Sequence, residues 1–343
     1  MGKRIYNLLK RNESILALYT LISRIRHGDK EFAHFLLTAE ENPNLLKVIR
    51  KGTENYGKVV YLIKESGSGY GFFAEFNSLL YALYYAESMG FVPHVIWGKG
   101  FNYYDENYGM ENAFEYFFEP IEVPGFQNSS AIIEKKGPHI EQIEKKLDAL
   151  GYNRSLASQQ IKADMCRKYI HLKKDIRDLL ERNVNSILGD GKTLGIHYRG
   201  TDYKKGFVGH PVQIEIDSIV CHAKQIVDEE KVDRIFLATD DISAISALER
   251  EFGDMLCYYE DVIRSDGETS VAFSEGERQF HKYNLAWEVL RDAYTLSRCD
   301  NLIAGLSQVS FASQTLKLAR KENYNMIIVL DNGINITGEQ FHV

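Results

Sequence analysis

The segment Thr193-Leu-Gly-Ile-His-Tyr-Arg-Gly-Thr-Asp202 joins a short apolar run to a polar cluster. Its first six residues have the length and composition of a buried strand, and the polar residues follow where that strand would end. The same arrangement recurs in Arg234-Ile-Phe-Leu-Ala-Thr-Asp-Asp241 and in Asn301-Leu-Ile-Ala-Gly-Leu-Ser307. Three strands with polar carboxyl ends predict a parallel sheet with a binding site along one edge.

Helical patterns separate the predicted strands of the second half of the chain. The predicted strands are Thr193–Tyr198, Arg234–Thr239, Met255–Tyr259, Asn301–Ala304 and Met326–Leu330. Apolar residues recur at helical spacing in residues 213–229, 242–252, 284–298 and 307–322. Strands that alternate with helices of this length predict a parallel sheet covered on both faces.

The first half contains one clear strand–helix–strand unit. The glycine loop, Gly67-Ser-Gly-Tyr-Gly71, lies between a strand at Lys58–Lys64 and a helix from Phe72 to about Met89, and Val92–Trp97 predicts the next strand. Further helical patterns are predicted in residues 1–51 and through most of residues 110–185, including Ile140–Leu150 and Ile161–Leu180.

The length of 343 residues fits two domains, each with a core of its own. We therefore predict an α/β protein whose two domains face a cleft. The expected first domain is residues 1–185, of which residues 1–51 form a helical lead segment. The second domain is residues 186–325, and residues 326–343 form a C-terminal strand and tail.

Composition and charge exclude several classes of protein. With 44% hydrophobic and 26% charged residues the chain is neither collagen-like nor disordered, and a net charge of −7 argues against nucleic-acid binding. Its four cysteines have no ligand or disulfide spacing, and no apolar run is long enough to span a bilayer. With no secretory signal pattern at the start, we expect a cytoplasmic protein.

The lead segment differs in charge from the rest of the chain. Residues 1–51 carry ten Lys and Arg against five Asp and Glu, a net charge of +5, which leaves −12 for the remainder. Two interpretations stay open. A basic amphipathic helix can rest on the inner, anionic face of a membrane, and a solvated helix can simply pack on its own domain.

The polar clusters at the strand ends carry the chemistry of a phosphate and nucleoside site. Arg199 offers a planar pair of donors for phosphate oxygens, and Ser307 places a hydroxyl and backbone N–H groups at a predicted helix start. The carboxylates of Asp240, Asp241 and Asp292 can accept from the N–H edge of a base such as guanine or from ribose hydroxyls. Together these residues predict a nucleotide diphosphate ligand.

Each of these residues also has an ordinary structural role open to it. Ser307 and the pair Asp240-Asp241 can cap helices, and Arg199 can form a surface ion pair. His197 can be a buried, hydrogen-bonded histidine. Their common placement at one sheet edge favours the binding site.

The sequence disfavours both a nicotinamide site at the glycine loop and a metal-dependent site. A nicotinamide site is disfavoured because Phe72 stands where a dinucleotide loop has its third glycine. The loop either brings the backbone at Gly69 close to a sugar or phosphate, or is a tight turn without a ligand. No Asp-x-Asp pair occurs in the chain, which disfavours a metal-dependent sugar-nucleotide site.

Three segments together resemble the α1,6-fucosyltransferase superfamily, which includes the nodulation protein Z enzymes and, more distantly, the α1,2- and protein O-fucosyltransferases. The segments are His197-Tyr-Arg-Gly-Thr-Asp202, Phe236-Leu-Ala-Thr-Asp-Asp241 and Asp292 to Ser307. The resemblance covers about residues 190–320, and in the first half only the glycine loop and its helix. It implies a GT-B-like fold of two Rossmann-like domains, GDP-fucose as the donor, inversion at the anomeric carbon and no metal cofactor.

The resemblance also assigns roles to residues. Arg199 stabilises the departing β-phosphate, and His197 and Asp292 contact guanine and ribose together with Asp240 and Asp241. Phosphate contacts fall on Ser307, Gln308 and Val309.

Two departures from the family pattern concern the acceptor side of the reaction. A second arginine of the α1,6 branch is replaced by Gly200, and Lys204 or Lys205 are candidates for the missing charge. Residues 203–211 contain no carboxylate that could act as the base. The candidates for that role are Asp202, His210 and Glu75.

These observations predict an enzyme that transfers fucose from GDP-fucose to a glycan or lipid-linked glycan, in polysaccharide biosynthesis. Two other functions stay open. The first is a metal-independent GT-B transferase for another nucleotide sugar, and the second is a nucleotide-sugar-binding protein without catalysis. The non-catalytic alternative is motivated by the absence of a second arginine and of a carboxylate base.

Overall fold

The computed structural model describes residue 22 and residues 46–49, 52–67, 69–135, 155–265 and 270–339, without the side chains of residues 46–49, 135 and 202. The described chain is an α/β structure with two sheets, one in each half. The predicted helix at Ile140–Leu150 lies outside the described residues.

The second half of the chain forms a five-stranded sheet in which every pairing is parallel. Its strands are β5 (Thr193–Tyr198), β6 (Arg234–Thr239), β7 (Leu256–Cys257), β8 (Asn301–Gly305) and β9 (Met326–Leu330). Its helices are α3 (Lys174–Leu188), α4 (Ile216–Glu230), α5 (Ile242–Phe252), α6 (His281–Arg298) and α7 (Gln308–Ala319). The chain therefore has the parallel, doubly covered sheet that the alternating pattern predicts.

The strand order of this sheet, β7-β6-β5-β8-β9, fixes where a ligand can bind. The chain moves from β5 outward in one direction to β7, and then returns to β8 on the other side of β5. The connections after β5 and β8 therefore diverge and leave a crevice at the carboxyl ends of these two strands. Arg199 follows β5 and Ser307 follows β8, so both stand at this crevice.

Apolar side chains on both faces of the sheet explain why helices cover it twice. On one face Ile196 and Leu237 pack with Ile219 of α4. On the other face Phe236 and Leu302 belong to the largest hydrophobic cluster, which includes the buried side of α6. That cluster continues into the aromatic core of the first half, so the two halves share buried surface.

The first half forms a four-stranded mixed sheet in the order β1-β4-β2-β3. The strands are β1 (Leu46–Ile49), β2 (Val60–Lys64), β3 (Val92–Ile96) and β4 (Ile132–Lys135), and the helices are α1 (Phe72–Ser88) and α2 (Leu156–Tyr169). The strands β3 and β4 are parallel to β2, and β1 is antiparallel to β4. The predicted strand–helix–strand unit is thus β2, α1 and β3.

The helical prediction for residues 110–185 is wrong over most of its first third. Residues Ala113–Tyr116 and Phe126–Asn128 form short 3-10 turns, and β4 follows them. The predicted helix Ile161–Leu180 is two helices, because residues 170–173 pair with another segment. Glu119 N–H donates to the His171 carbonyl (2.7 Å), and Lys173 N–H donates to the Phe117 carbonyl (2.9 Å).

The ends of three other predictions also change. The helical prediction for the lead segment is wrong at Leu46–Ile49, which form β1, and of its earlier residues only Ile22, in a helix, is described. The predicted strand Met255–Tyr259 shrinks to Leu256–Cys257 at the sheet edge. The helix α3 crosses the expected boundary at residue 185 and packs on α6 and β6. Within the described ranges, no helix is both long and apolar enough to cross a bilayer.

Candidate functional site

A cavity lies at the carboxyl ends of β5 and β6 and is bounded by α6, the start of α7 and one segment of the first half. It encloses about 570 Å³ between atoms, part of it open to solvent. Its walls combine apolar side chains with a cation and three carboxylates: Tyr103, His197, Arg199, Ala238, Thr239, Asp240, Val262, Ile263, Val271, Ala272, Leu285, Glu288, Val289, Asp292 and Val309. An apolar slot with charged groups suits a flat base joined to phosphates.

Arg199 is held at the cavity wall by partners on two sides. Its guanidinium pairs with the Asp240 carboxylate at 2.5 Å and donates to Ser270 Oγ at 3.0 Å. Its side chain keeps a quarter of its surface exposed. These contacts orient the Arg199 guanidinium at the cavity wall, and its planar fork of N–H donors is the geometry that suits phosphate oxygens.

Asp240 organises the loop that follows β5. Its carboxylate accepts from the Gly200 N–H (3.0 Å) and from the Thr201 hydroxyl (2.6 Å), in addition to its ion pair with Arg199. Asp240 lines the cavity, as expected for a donor-binding residue, and both of its carboxylate oxygens have partners within the protein. Its main effect in this structure is to fix the position of Arg199.

Asp241 and Lys204 point to the neighbouring helix instead of the cavity. Asp241 is the N-cap of α5, accepts from Ser243 N–H at 2.9 Å and pairs with Lys204 Nζ at 2.7 Å. Neither residue lines the cavity, and Lys205 is exposed beside the Phe207 ring. The structure therefore does not bring Asp241, Lys204 or Lys205 to the donor-binding position expected for them.

The packing of Gly200 explains why the second arginine of the family pattern is missing. A Cβ atom at this position would lie 2.3 Å from Asp241 Oδ2 and 2.5 Å from Asp241 Cβ. Any side chain here would displace the capping aspartate of α5. Gly200 therefore packs directly against Asp241, which forms an ion pair with Lys204.

His197 is a buried, neutral side chain at the end of β5. Burial lowers its pKa to about 4; the nearby Asp240 raises the pKa and Arg199 lowers it. Its Nδ1 lies 3.2 Å from Ser307 Oγ, so the ring joins the ends of β5 and β8 by a hydrogen bond. A neutral imidazole at this place can hydrogen-bond a ligand and is not charged near neutral pH.

Asp292 is a buried acid at the cavity wall. Burial raises its pKa to about 7, Arg264 and Arg291 lower that pKa, and Glu288 and Asp261 raise it. Its Oδ1 is buried and has no hydrogen-bond partner among the described residues. A buried acceptor at a cavity wall is suited to the N–H donors of a ligand.

The start of α7 is a helix N-terminus, where partial positive charge favours anions. Ser307 is its N-cap and accepts from Ser310 N–H at 3.1 Å, so the serine does have the ordinary capping role. Val309 lines the cavity, and Gln308 instead binds Asn77 of the first half. No acid occurs in the first turn, so the N–H groups there face no carboxylate of their own helix.

The glycine loop and Glu75 do not line the cavity. Glu75, which is 1% exposed, accepts from the Ser66 N–H (2.7 Å) and hydroxyl (3.1 Å), and so anchors the loop to α1. Gly67 has φ +136°, which favours glycine, and Gly69 is exposed. The structure thus places Glu75 as an anchor of its own loop, away from the position expected of a base.

The two remaining candidates for the base follow β5. The Asp202 side chain is outside the described part of the structure, and its backbone belongs to a 3-10 turn at Thr201–Lys205. The His210 ring lies beside Tyr203 and Phe207 and does not line the cavity. The backbone carbonyl of His210 accepts from the Asn335 N–H at 2.9 Å.

Three residues of the site were missed from the sequence. Glu288 stands four residues before Asp292 on α6, so helical spacing could have identified it. Ser270 holds Arg199, and Tyr103 contributes a wall from the first half. Tyr103 had no sequence signal, because two long-range contacts place its segment: Asn102 donates to the Ala272 carbonyl (2.6 Å), and Lys282 N–H donates to Asp105 (3.2 Å).

Among the residues that the structure describes, no group of three or more His, Cys, Asp or Glu side chains is arranged to hold a metal ion. Of the residues that the structure describes, Arg199 is the cation that lines the cavity, and Asp240, Glu288 and Asp292 are the acids.

Comparisons with known proteins give structural similarity only. No protein-family model and no curated protein matches the chain. The NodZ α-1,6-fucosyltransferase co-crystallised with GDP is 14% identical and has a TM-score of 0.46, over 76% of this chain and 92% of that chain. The fucosyltransferase NodZ from Bradyrhizobium is 15% identical with a TM-score of 0.43, over 77% and 92%.

A second group of similar structures is POFUT1. Its complex with GDP-fucose is 10% identical and has a TM-score of 0.48, over 81% of this chain and 99% of that chain. With TM-scores below 0.5, these similarities by themselves establish neither the fold nor the activity of this chain. The proteins concerned are fucosyltransferases, the group that the three motifs resemble.

Proposed function

We propose that the protein is a glycosyltransferase that moves fucose from GDP-fucose to a hydroxyl group of a glycan, with inversion and without a metal cofactor. The observation that carries the proposal is the geometry of the cavity at the carboxyl ends of β5 and β6. Arg199 after β5 and the acid-free start of α7 after β8 line one cavity, which Asp292 also lines, and Asp292 Oδ1 has no hydrogen-bond partner among the described residues. The three motifs that resemble fucosyltransferases supply these same residues.

The diphosphate of the donor would lie between Arg199 and the first turn of α7. When the bond between sugar and phosphate breaks, negative charge grows on the β-phosphate and positive charge grows on the sugar ring. A fixed guanidinium and helix N–H groups interact more strongly with this growing negative charge, so they stabilise the transition state more than they stabilise the ground state. Asp240 contributes by holding the guanidinium in place before the donor binds.

The guanine base would occupy the apolar slot of the cavity. Val262, Leu285 and Val289 offer apolar contacts to the faces of the guanine ring, and Asp292 offers an acceptor for its N–H groups. The free energy of these hydrogen bonds offsets the burial of the carboxylate, which is ionised when it accepts them. His197 adds a neutral hydrogen-bonding ring near Ser307.

Inversion requires the acceptor hydroxyl to attack from the side opposite the diphosphate. Tyr103 places a first-half side chain at the cavity, and the acceptor would approach along the first half. The base that takes the hydroxyl proton stays a prediction, with Asp202 and His210 as candidates beside β5. In a loose transition state this proton is transferred late, so the leaving-group contacts dominate the rate.

A second candidate function is binding of a nucleotide sugar without catalysis. Two observations favour it: Gly200 has no room for a second arginine, and Arg199 already pairs with Asp240. A transferase for another nucleotide sugar is the third candidate. The acceptor, a cytoplasmic location and contact of the basic lead segment with a membrane are also proposals, which rest on the sequence alone.

Two measurements separate these functions. Because a ligand that binds only the folded state raises its stability, GDP should raise the melting temperature more than UDP does. Equal shifts with GDP and UDP would argue for another donor. An acceptor screen with GDP-fucose, followed by linkage analysis, should then give a fucosylated product and acceptor-dependent GDP release. GDP binding without any release would favour the non-catalytic protein.

A further inference from the structure

One side chain of the first half reaches the start of the phosphate-binding helix of the second half. Asn77 of α1 donates from Nδ2 to the Gln308 side-chain oxygen at 2.8 Å and to the Gln308 backbone carbonyl at 3.2 Å. Asn77 is 3% exposed. Its two hydrogen bonds therefore join the halves of the protein at a partly buried contact.

The position of Gln308 gives these bonds a consequence for the site. Gln308 is the first residue of α7 and lies between the N-cap Ser307 and Val309, which lines the cavity. The backbone N–H groups of this turn are the ones that would contact the diphosphate. A group that binds charge in a transition state must be held closely, because a displacement of about 1 Å lowers the rate substantially.

The contacts around Asn77 make this junction specific. One helical turn along α1, Tyr81 hydrogen-bonds Ser158 of α2 at 3.1 Å. Lys162 of α2 places its ammonium 4.9 Å from the centre of the Tyr81 ring and 5.6 Å from that of Phe311 on α7. Buried polar contacts of this kind favour one arrangement of the three helices over a sliding apolar interface.

We propose that Asn77 is a positioning residue for the donor diphosphate, and that Gln308 is its anchor instead of a phosphate ligand. By holding Gln308, Asn77 fixes the first turn of α7 relative to the first half. The inference rests on the proposed nucleotide-binding function. It replaces the direct phosphate contact that the family resemblance assigns to Gln308.

The helix that carries Asn77 also begins at the glycine loop. Glu75, two residues earlier, anchors that loop through Ser66. One helix therefore holds a loop of the first half at its start and the diphosphate-binding turn of the second half through Asn77. This connection would align the acceptor side with the donor side.

The test compares the dissociation constants of GDP and guanosine, because their ratio reports the diphosphate contribution alone. We expect Asn77→Ala to weaken GDP binding about 10-fold and to leave guanosine binding unchanged. The matched control is Ser158→Ala, which removes a buried hydrogen bond of the same junction without touching Gln308. It should lower stability and leave the ratio of the two constants unchanged.

A double-mutant cycle separates anchoring from direct contact. If Gln308 acts through Asn77, the loss of GDP affinity in the double variant Asn77→Ala, Gln308→Ala should be smaller than the sum of the two single losses. Additive losses, or an unchanged ratio in Asn77→Ala, would overturn the inference while the nucleotide site stands. A wild-type protein that binds no GDP would overturn both the proposed function and this inference.

Discussion

Two helices of this protein begin in similar ways, and only one start is suited to an anion. Both α1 and α7 follow a strand of a sheet, and sequence patterns at both resemble phosphate-binding turns. At α1 the N-cap is Gly71, without a side-chain cap, and the first turn contains Glu75. At α7 the N-cap is Ser307, and the first turn contains no acid.

The difference shows what decides whether a helix start can bind an anion. The N-terminal end of a helix carries partial positive charge, which an acidic side chain in the first turn can neutralise. At α1 the Glu75 carboxylate already occupies this end and accepts from Ser66. At α7 the first turn meets, at Val309, the same cavity that Arg199 lines. Four variants can break or sharpen this contrast.

The largest effect is expected for Arg199→Ala, which removes a cation from the cavity that the start of α7 also lines. The rate of fucose transfer should fall about 10³-fold, because the growing charge on the leaving phosphate loses its fixed partner. Initial rates with GDP-fucose and an identified acceptor measure this loss. Lys205→Ala, which removes an exposed cation of the same loop, is the control and should stay within about 2-fold. Transfer that survives in Arg199→Ala would refute the role of Arg199.

The variant Val309→Glu gives α7 the first-turn acid that α1 has. The new carboxylate would lie at the cavity wall and repel the diphosphate, so GDP should bind about 100-fold more weakly. In the control Val309→Gln, the glutamine is nearly as large as the glutamate but carries no charge, so this variant should lose far less affinity for GDP. Calorimetric titration with GDP checks both variants. Equal losses in the two would mean that the diphosphate lies away from α7.

A third variant, Asp292→Asn, tests the part of the cavity proposed to bind guanine, through the pH dependence of GDP affinity. Because the pKa of Asp292 is raised to about 7 by burial, the carboxylate is mostly protonated below that pH in the free protein. Binding to base N–H groups needs the ionised form, so wild-type GDP affinity should fall as the pH falls through about 7. The Asn variant should bind GDP about 10-fold more weakly, with little pH dependence in this range.

The free energy of unfolding of the nucleotide-free protein should depend on pH in the opposite direction to GDP affinity: it should rise as the pH falls through about 7. The pKa of Asp292 is about 7 in the folded protein and 3.8 in the unfolded chain, so protonation of this group favours the folded state. The resulting stabilisation is fully present below pH 3.8 and is lost as the pH rises through about 7. At about pH 8 the Asn variant should therefore be more stable than wild type, by on the order of 2 kcal/mol, and the gain should shrink toward pH 5. Urea unfolding without nucleotide measures this. A variant less stable at every pH would contradict the assigned burial of the charge.

The smallest effect is expected for Glu75→Gln at the start of α1. The amide oxygen can accept one of the two hydrogen bonds from Ser66, while the second acceptor and the charge are lost, so the free energy of unfolding should fall by about 1 kcal/mol. GDP affinity should not change, since this helix start does not line the cavity. Unfolding and GDP titrations are measured together with transfer rates. A loss of transfer above about 100-fold with unchanged GDP affinity would restore Glu75 as the base.

Strand ends in the second half could be predicted because their signals are local. The apolar run Thr193–Tyr198 is a strand over its predicted length, and parallel pairing alone brings Arg199 and Ser307 to one edge. The position of Asp292 in the cavity follows from its place on a helix that packs on the same sheet. In these places the residue pattern determined both the element and the placement.

Other features depend on contacts that are distant in the chain. No local pattern shows that Asp240 would hold Arg199 while its neighbour Asp241 turns to cap α5. The break between α2 and α3 arises because residues 170–173 pair with residues 117–119. The link between Asn77 and Gln308 spans 231 positions of sequence, and only the folded structure reveals it.

A crystal structure of the protein with GDP tests the central claim most directly, because it shows which helix start holds the diphosphate. We predict phosphate oxygens within about 3 Å of the Arg199 guanidinium and of backbone N–H groups in the first turn of α7. The guanine ring should lie in the apolar slot with its N–H edge toward Asp292. A diphosphate bound at the glycine loop and the start of α1, or GDP bound outside the cavity, would contradict the account.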